Sequence, residues 1–126
     1  METPPTILVI EDSSLLRAVL RDTLEIAHFH ILEAPDGKEG LDIAFREHPN
    51  LIMLDLIMPV MDGMTMYNLL RKDEWGAHVP VIILTATKDD KIASWLKDEH
   101  LDFLLKENWM MDEVVMHVRA ALKIAP

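Results

Sequence analysis

Three unbroken apolar runs, Ile7-Leu8-Val9-Ile10, Leu51-Ile52-Met53-Leu54 and Val81-Ile82-Ile83-Leu84, constrain the fold of this chain more than any other feature. A strand without polar alternation must be covered on both faces, which is the situation of central strands in a parallel sheet. His30-Ile31-Leu32-Glu33 and Phe103-Leu104-Leu105 are shorter or more mixed, as strands nearer the sheet edges should be. Between these runs the apolar period becomes helical: Leu16, Val19, Leu20, Leu24 and Ala27; Leu41, Ala44 and Phe45; Met66, Leu69 and Leu70; Ile92, Trp95 and Leu96; and a long stripe of Met111, Val114, Val115, Val118, Ala121 and Leu122. A strict β-α alternation with short connections predicts a three-layer, doubly wound α/β domain, its five parallel strands joined by right-handed crossovers with helices on both faces. Pro35-Asp36-Gly37 reads as a turn into the second helix, Asp62-Gly63 as a turn and helix start, and Pro49-Asn50 and Pro80 as stops before the third and fourth strands.

At 126 residues the chain suits a single domain, with a core expected over about residues 6–123. Its formal charge of -10, from 22 acidic and 12 basic residues without a basic patch, makes a phosphate backbone a poor direct partner. The apolar runs are far shorter than the roughly 20 residues that span a bilayer, and the cysteine-free chain has no thiolate metal site. No membrane association and a reducing, cytoplasmic setting are therefore expected.

Polar residues cluster where strands give way to helices. Glu11 and Asp12 follow the first run, Asp55 the third, Thr85 the fourth and Lys106 the fifth. All fall at carboxyl ends of parallel strands, the edge where open α/β sheets place ligands. Three carboxylates there repel one another unless protons or a cation compensate, and oxygen-only donors suit Mg²⁺ better than Zn²⁺. A hard divalent cation is implied. Lys106 and Thr85 add a positive charge and a hydroxyl suited to stabilising phosphoryl oxygens. Without a Ser-His or Cys-His arrangement or a glycine-rich phosphate loop, the remaining nucleophile is an aspartate carboxylate, which attacks phosphorus to form an acyl phosphate. Asp55 is the best placed.

The segment Asp55-Leu56-Ile57-Met58-Pro59-Val60-Met61-Asp62-Gly63, with Glu11-Asp12, Thr85-Ala86 and Lys106 in the same order, resembles the receiver domain of two-component response regulators. The resemblance runs from about Ile7 to about Leu122 and rests most on the D-x-x-M-P-x-x-D-G pattern that begins at Asp55. It implies a flavodoxin-like sheet of order 2-1-3-4-5, an order carried by the family likeness and not by periodicity. It further implies that Asp55 accepts a phosphoryl group from a sensor histidine kinase, a histidine phosphotransfer protein or a small phosphodonor. Asp12 and Asp55 would ligate Mg²⁺ directly, Glu11 through water, and Ile57 through its backbone carbonyl. Thr85 and Lys106 would each hold a phosphoryl oxygen, and Phe103 would turn inward as Thr85 moves. The fourth helix, fifth strand and fifth helix would then present a changed face to a protein target or a fused output domain, with homodimerisation through the fourth and fifth helices also open.

The chain departs from that family on the output side. Lys106 precedes Glu107-Asn108 where a cis-proline and an aromatic residue are usual, the stripe of the fifth helix begins one residue late, and Glu99-His100 replaces Gly-Ala before the fifth strand. In that family the residues two beyond the acceptor and two beyond the threonine influence how water attacks the acyl phosphate; here they are Ile57 and Thr87, neither acid nor amide, so slow self-dephosphorylation is expected. Two other readings compete. A haloacid-dehalogenase-like phosphohydrolase requires a second aspartate where Ile57 stands and more chain for a cap; a phosphate-independent interaction module would need none of Asp12, Asp55, Thr85 and Lys106. Asp12, Asp55 and Thr85 taken singly could be capping residues, Glu11 a solvated carboxylate, Phe103 fixed core, and Trp95 and Trp109 either core or partner surface. The nine methionines suit irregular core gaps or an adaptable contact face, and the six scattered histidines take no catalytic role.

Overall fold

The computed structural model describes residues 3–86, 89–107 and 110–124. Its elements alternate without exception: β1 (Thr6–Ile10), α1 (Ser14–Ile26), β2 (His30–Ala34), α2 (Gly37–Glu47), β3 (Leu51–Asp55), α3 (Gly63–Arg71), β4 (Val81–Thr85), α4 (Asp90–Asp98), β5 (Asp102–Leu105) and α5 (Met111–Leu122). The strands form one parallel sheet in the order β2-β1-β3-β4-β5. The predicted elements are all present. β5 begins one residue ahead of the apolar run because Asp102 pairs in register with Ile82.

The pleat of the central strands explains their unbroken apolar character. Leu8, Ile10, Ile52, Leu54, Val81 and Ile83 face a core shared with Ala44 of α2, Met66 and Leu70 of α3 and Leu96 of α4. Their neighbours Ile7, Val9, Leu51, Met53, Ile82 and Leu84 face the opposite core, closed by Leu20 and Leu24 of α1 and Val114 and Val118 of α5. Successive side chains of one strand thus enter two different cores, so no position on these strands can be polar without cost. Leu54 is fully buried and directly precedes Asp55. Truncating it to alanine is expected to cost about 2–5 kcal/mol, a large share of the 5–15 kcal/mol typical of a domain, and urea unfolding measures the loss.

The helix starts are capped by local side chains. Ser13 Oγ accepts from Leu16 N at 3.2 Å, Asp36 from Glu39 N at 2.9 Å, Asp62 from Thr65 N at 2.8 Å and Asp89 from Lys91 N at 2.7 Å. α1, α3 and α4 thereby take their caps from Ser13, Asp62 and Asp89, which removes the capping reading of Asp12, Asp55 and Thr85. Three histidines, His28, His48 and His100, adopt positive φ just past the ends of α1, α2 and α4. The Glu99-His100 departure is accommodated with Glu99 right-handed as the cap of α4 and His100 left-handed just after it.

Trp95 is half-buried, packs against the core and meets the Tyr67 ring edge-on at 5.3 Å. Trp109, Asn108 and Thr87 lie outside the described residues. Met53, Met58 and Met66 fill the core as expected, whereas Met110, Met111 and Met116 are exposed on and beside α5. Among the described residues no peptide bond is cis, which makes Lys106-Glu107 trans, and no helix is long and apolar enough to cross a membrane.

Candidate functional site

The parallel register delivers the chemistry-bearing residues to one edge. Asp55 and Thr85 are the last residues of β3 and β4, Glu11 and Asp12 follow β1, and Lys106 follows β5. Glu11, Asp55 and Thr85 are buried while Asp12 is exposed. Carboxylate oxygens of Glu11, Asp12 and Asp55 all lie within 4.8 Å of one another. The Lys106 ammonium sits 2.7 Å from Glu11 Oε1 and 2.9 Å from Asp55 Oδ2. Its backbone is anchored by the Lys106 N–H donating to the Thr85 carbonyl at 2.8 Å.

Glu11 and Asp55 are each aimed by a main-chain contact. Ser13 N–H donates to Glu11 Oε2 at 3.0 Å, and Ile57 N–H reaches Asp55 Oδ1 at 3.4 Å. The other oxygens, Glu11 Oε1 and Asp55 Oδ2, are buried and share the single Lys106 ammonium. Three carboxylates beside a single ammonium leave the cluster net negative. Oxygen-only donors that converge within 4.8 Å and carry more negative charge than one ammonium offsets fit a hard divalent cation.

The electrostatics agree. Burial pushes Glu11 up to about 7; Lys106 and the Ser13 N–H oppose the rise and the Asp55 charge adds to it. Burial also raises Asp55, against the pull of Lys106. Lys106 is depressed by its own burial, but the two carboxylates outweigh that and hold it above its ordinary value. Glu11 is ordinarily half-protonated at 4.5, so in metal-free protein the folded state binds its proton more tightly than the unfolded chain. The resulting stabilisation is complete below pH 4.5 and is lost as pH rises through about 7. Glu11→Gln is therefore expected to flatten the fall in stability over that interval, measured in chelator as the difference in melting temperature between the two proteins.

Of the expected residues, Glu11, Asp12, Asp55 and Lys106 meet in one cluster, with Thr85 adjoining it. The reading of Glu11 as a solvated carboxylate is corrected by its full burial against Lys106. The side chain of Ile57 is 68% exposed, so its link to the cluster is through the main chain. Phe103 is not fixed core: it is 42% exposed and borders, with Thr85, Ile92 and Leu96, a groove of about 480 Å³ between α4 and β5. Two further residues belong to the site. Gly63 packs so closely under β3 that an added Cβ would lie 2.2 Å from the Asp55 carbonyl oxygen and 2.8 Å from Leu56 Cα. Arg17 of α1 donates from Nη1 to the Glu11 carbonyl at 2.6 Å.

A doubly wound parallel sheet with an acidic, oxygen-only cluster and a lysine at its carboxyl edge is the arrangement expected of a signalling receiver domain. The response regulator receiver domain model matches residues 7–119, and the chain belongs to that family. The DNA-binding dual master transcriptional regulator RpaA of Synechocystis is 37% identical over 121 residues, covering 94% of this chain and 49% of that protein. The sensor histidine kinase TmoS of Ectopseudomonas mendocina is 36% identical over 103 residues, 81% of this chain and 10% of the kinase. The chain thus spans half or less of the length of these relatives. A solved receiver domain of a Pseudomonas aeruginosa sensor histidine kinase, described with a magnesium ion coordinated in its active-site cleft, superposes with a TM-score of 0.87. It is 24% identical and covers 95% of this chain, which is 98% of the solved one. The fold and family readings are confirmed, and the phosphate-independent alternative is not favoured.

Proposed function

We propose that this receiver domain is an Mg²⁺-dependent switch phosphorylated on Asp55. The observation that carries the reading is the placement of the Asp55 carboxylate: buried, 2.9 Å from the Lys106 ammonium and within 4.8 Å of the acidic pair Glu11-Asp12. An Asp55 oxygen attacks the phosphorus of a phosphohistidine or a small phosphodonor. A carboxylate O–P bond forms as the donor's N–P or O–P bond breaks, and the electron pair leaves with the donor. Lys106 and Thr85 hold phosphoryl oxygens, and Lys106 exchanges part of its contact with Asp55 for the incoming charge. Asp12, Asp55, Glu11 and the Ile57 carbonyl are the groups that would hold Mg²⁺, which when bound offsets the negative charge gathered between carboxylates and phosphoryl group. Peptide mapping after incubation with acetyl phosphate tests the assignment. The phosphoryl group is expected on the peptide that contains Asp55; its appearance on another carboxylate would overturn the reading.

Phosphorylation adds a charge near -2 and strong acceptor oxygens, and it shifts a conformational equilibrium only through contacts made better in one state. Thr85 supplies such a contact, and the half-exposed Phe103 at the rim of the α4–β5 groove is the packing element that changes with it. The partners on this reading are proteins: a histidine kinase or phosphotransfer protein upstream, and a protein target or fused output domain downstream. A homodimer through α4 and α5 is a second downstream form. The acidic surface argues against direct contact of this domain with nucleic acid, and DNA binding is a property of RpaA as a whole protein.

The acyl phosphate should be long-lived. Ile57 presents no acid or amide to orient water. A half-life of minutes or longer is expected from the decay of the phosphorylated mass in Mg²⁺ after the phosphodonor is removed, and decay within seconds would contradict it.

A further inference from the structure

We infer that Arg17 is a positioning residue for the cation site; the inference rests on the Mg²⁺ reading proposed above. Glu11 is the first residue beyond β1, where the ladder ends. Its N–H still pairs with the Ala34 carbonyl of β2 at 3.1 Å. Its carbonyl accepts at 2.6 Å from Arg17 Nη1, one turn into α1. A buried carbonyl needs a partner, and here a charged side chain does what a neighbouring strand does elsewhere in the sheet.

That carbonyl belongs to the peptide unit linking Glu11 to Asp12, so its orientation sets where two of the three clustered carboxylates point. Arg17 is itself held: its Nε meets Glu33 Oε1 of β2 at 3.2 Å, and its side chain is 18% exposed. The arrangement runs from Glu33 through the guanidinium to the Glu11 carbonyl, an outer support of the kind that fixes the groups holding a metal. Loss of such supports costs about 10- to 100-fold in metal affinity. Arg21 offers an internal control. It lies one turn further along α1 and also pairs with Glu33, at 3.3 Å, but among the described residues it meets Asp22, Glu25 and Glu33 and no group of the acidic cluster.

Isothermal titration of Mg²⁺ into the wild-type protein, Arg17→Met, Arg17→Lys and Arg21→Met tests the inference, with urea unfolding in chelator as the measure of stability. Arg17→Met is expected to weaken Mg²⁺ binding by about 10-fold or more. Arg17→Lys should recover part of that, since one ammonium cannot serve both the carbonyl and Glu33, and Arg21→Met should bind like wild type. Phosphoryl uptake by Arg17→Met should return toward the wild-type rate at saturating Mg²⁺. If Arg17→Met loses stability but binds Mg²⁺ within twofold of wild type, Arg17 is merely structural and the inference fails. If Arg17→Met does not fold, Arg17→Lys decides alone, and wild-type affinity in it counts against the inference. A wild-type protein that binds no Mg²⁺ removes the reading beneath the inference, and the inference with it.

Discussion

Replacing Asp55 by asparagine is expected to abolish stable phosphoryl uptake, reducing it to the background of incubation without phosphodonor. The amide keeps the shape and burial of the side chain but removes the nucleophilic anion, so the fold survives while the chemistry does not. Two accompanying changes separate this outcome from simple damage. Burial raises the Asp55 carboxyl above its ordinary 3.8, so the ionised form is penalised in the folded state at neutral pH and the neutral amide is not. Metal-free Asp55→Asn should therefore melt no lower than wild type. Removal of one of three clustered carboxylates should also weaken Mg²⁺ binding. Wild type gains about 2.7 kcal/mol when Mg²⁺ is at roughly 100 times its Kd, and the asparagine variant should gain less at the same concentration. Thermal melts with and without Mg²⁺ read both effects.

Gly63→Ala is the second large effect, and it acts through the backbone. Gly63 opens α3 with its N–H donating to the Leu56 carbonyl at 2.9 Å, which presses the helix start against the end of β3. A methyl group there would meet the carbonyl oxygen of Asp55 at 2.2 Å and Leu56 Cα at 2.8 Å, and neither belongs to a side chain that could rotate away. Relief requires the β3 terminus or α3 to move. Overpacking of this kind costs about 1–3 kcal/mol, and more where only backbone can yield. The acceptor is the residue displaced, and a shift of about 1 Å at a reacting group can lower a rate roughly 10²-fold. Gly63→Ala should combine lower stability in urea with phosphoryl uptake slowed far beyond what the unfolded fraction explains.

The three central strands were legible because burial on both faces imposes an apolar run, a one-dimensional pattern, and the mixed edge strands were legible from the β-α alternation around them. Asp55, Asp12 and Lys106 were legible because parallel strands bring their carboxyl ends to one edge, so polar residues just after apolar runs must meet. Arg17 was not, because a single arginine in an amphipathic helix reads as solvent face until β2 and the end of β1 are set beside it. The burial of Glu11 was equally hidden: it depends on Lys106 lying across it, a contact between residues 95 positions apart. The packing role of Gly63 reads in sequence as an ordinary helix start. Phe103 carries no cue to its half-exposed position, which follows from the groove that α4 leaves against β5.

The most direct test of the central claim is intact-mass spectrometry of the wild-type protein incubated with acetyl phosphate, in Mg²⁺ and in chelator. A single phosphoryl addition that requires Mg²⁺ is the predicted result. No addition to the folded protein in Mg²⁺, or equal addition in chelator, would contradict it.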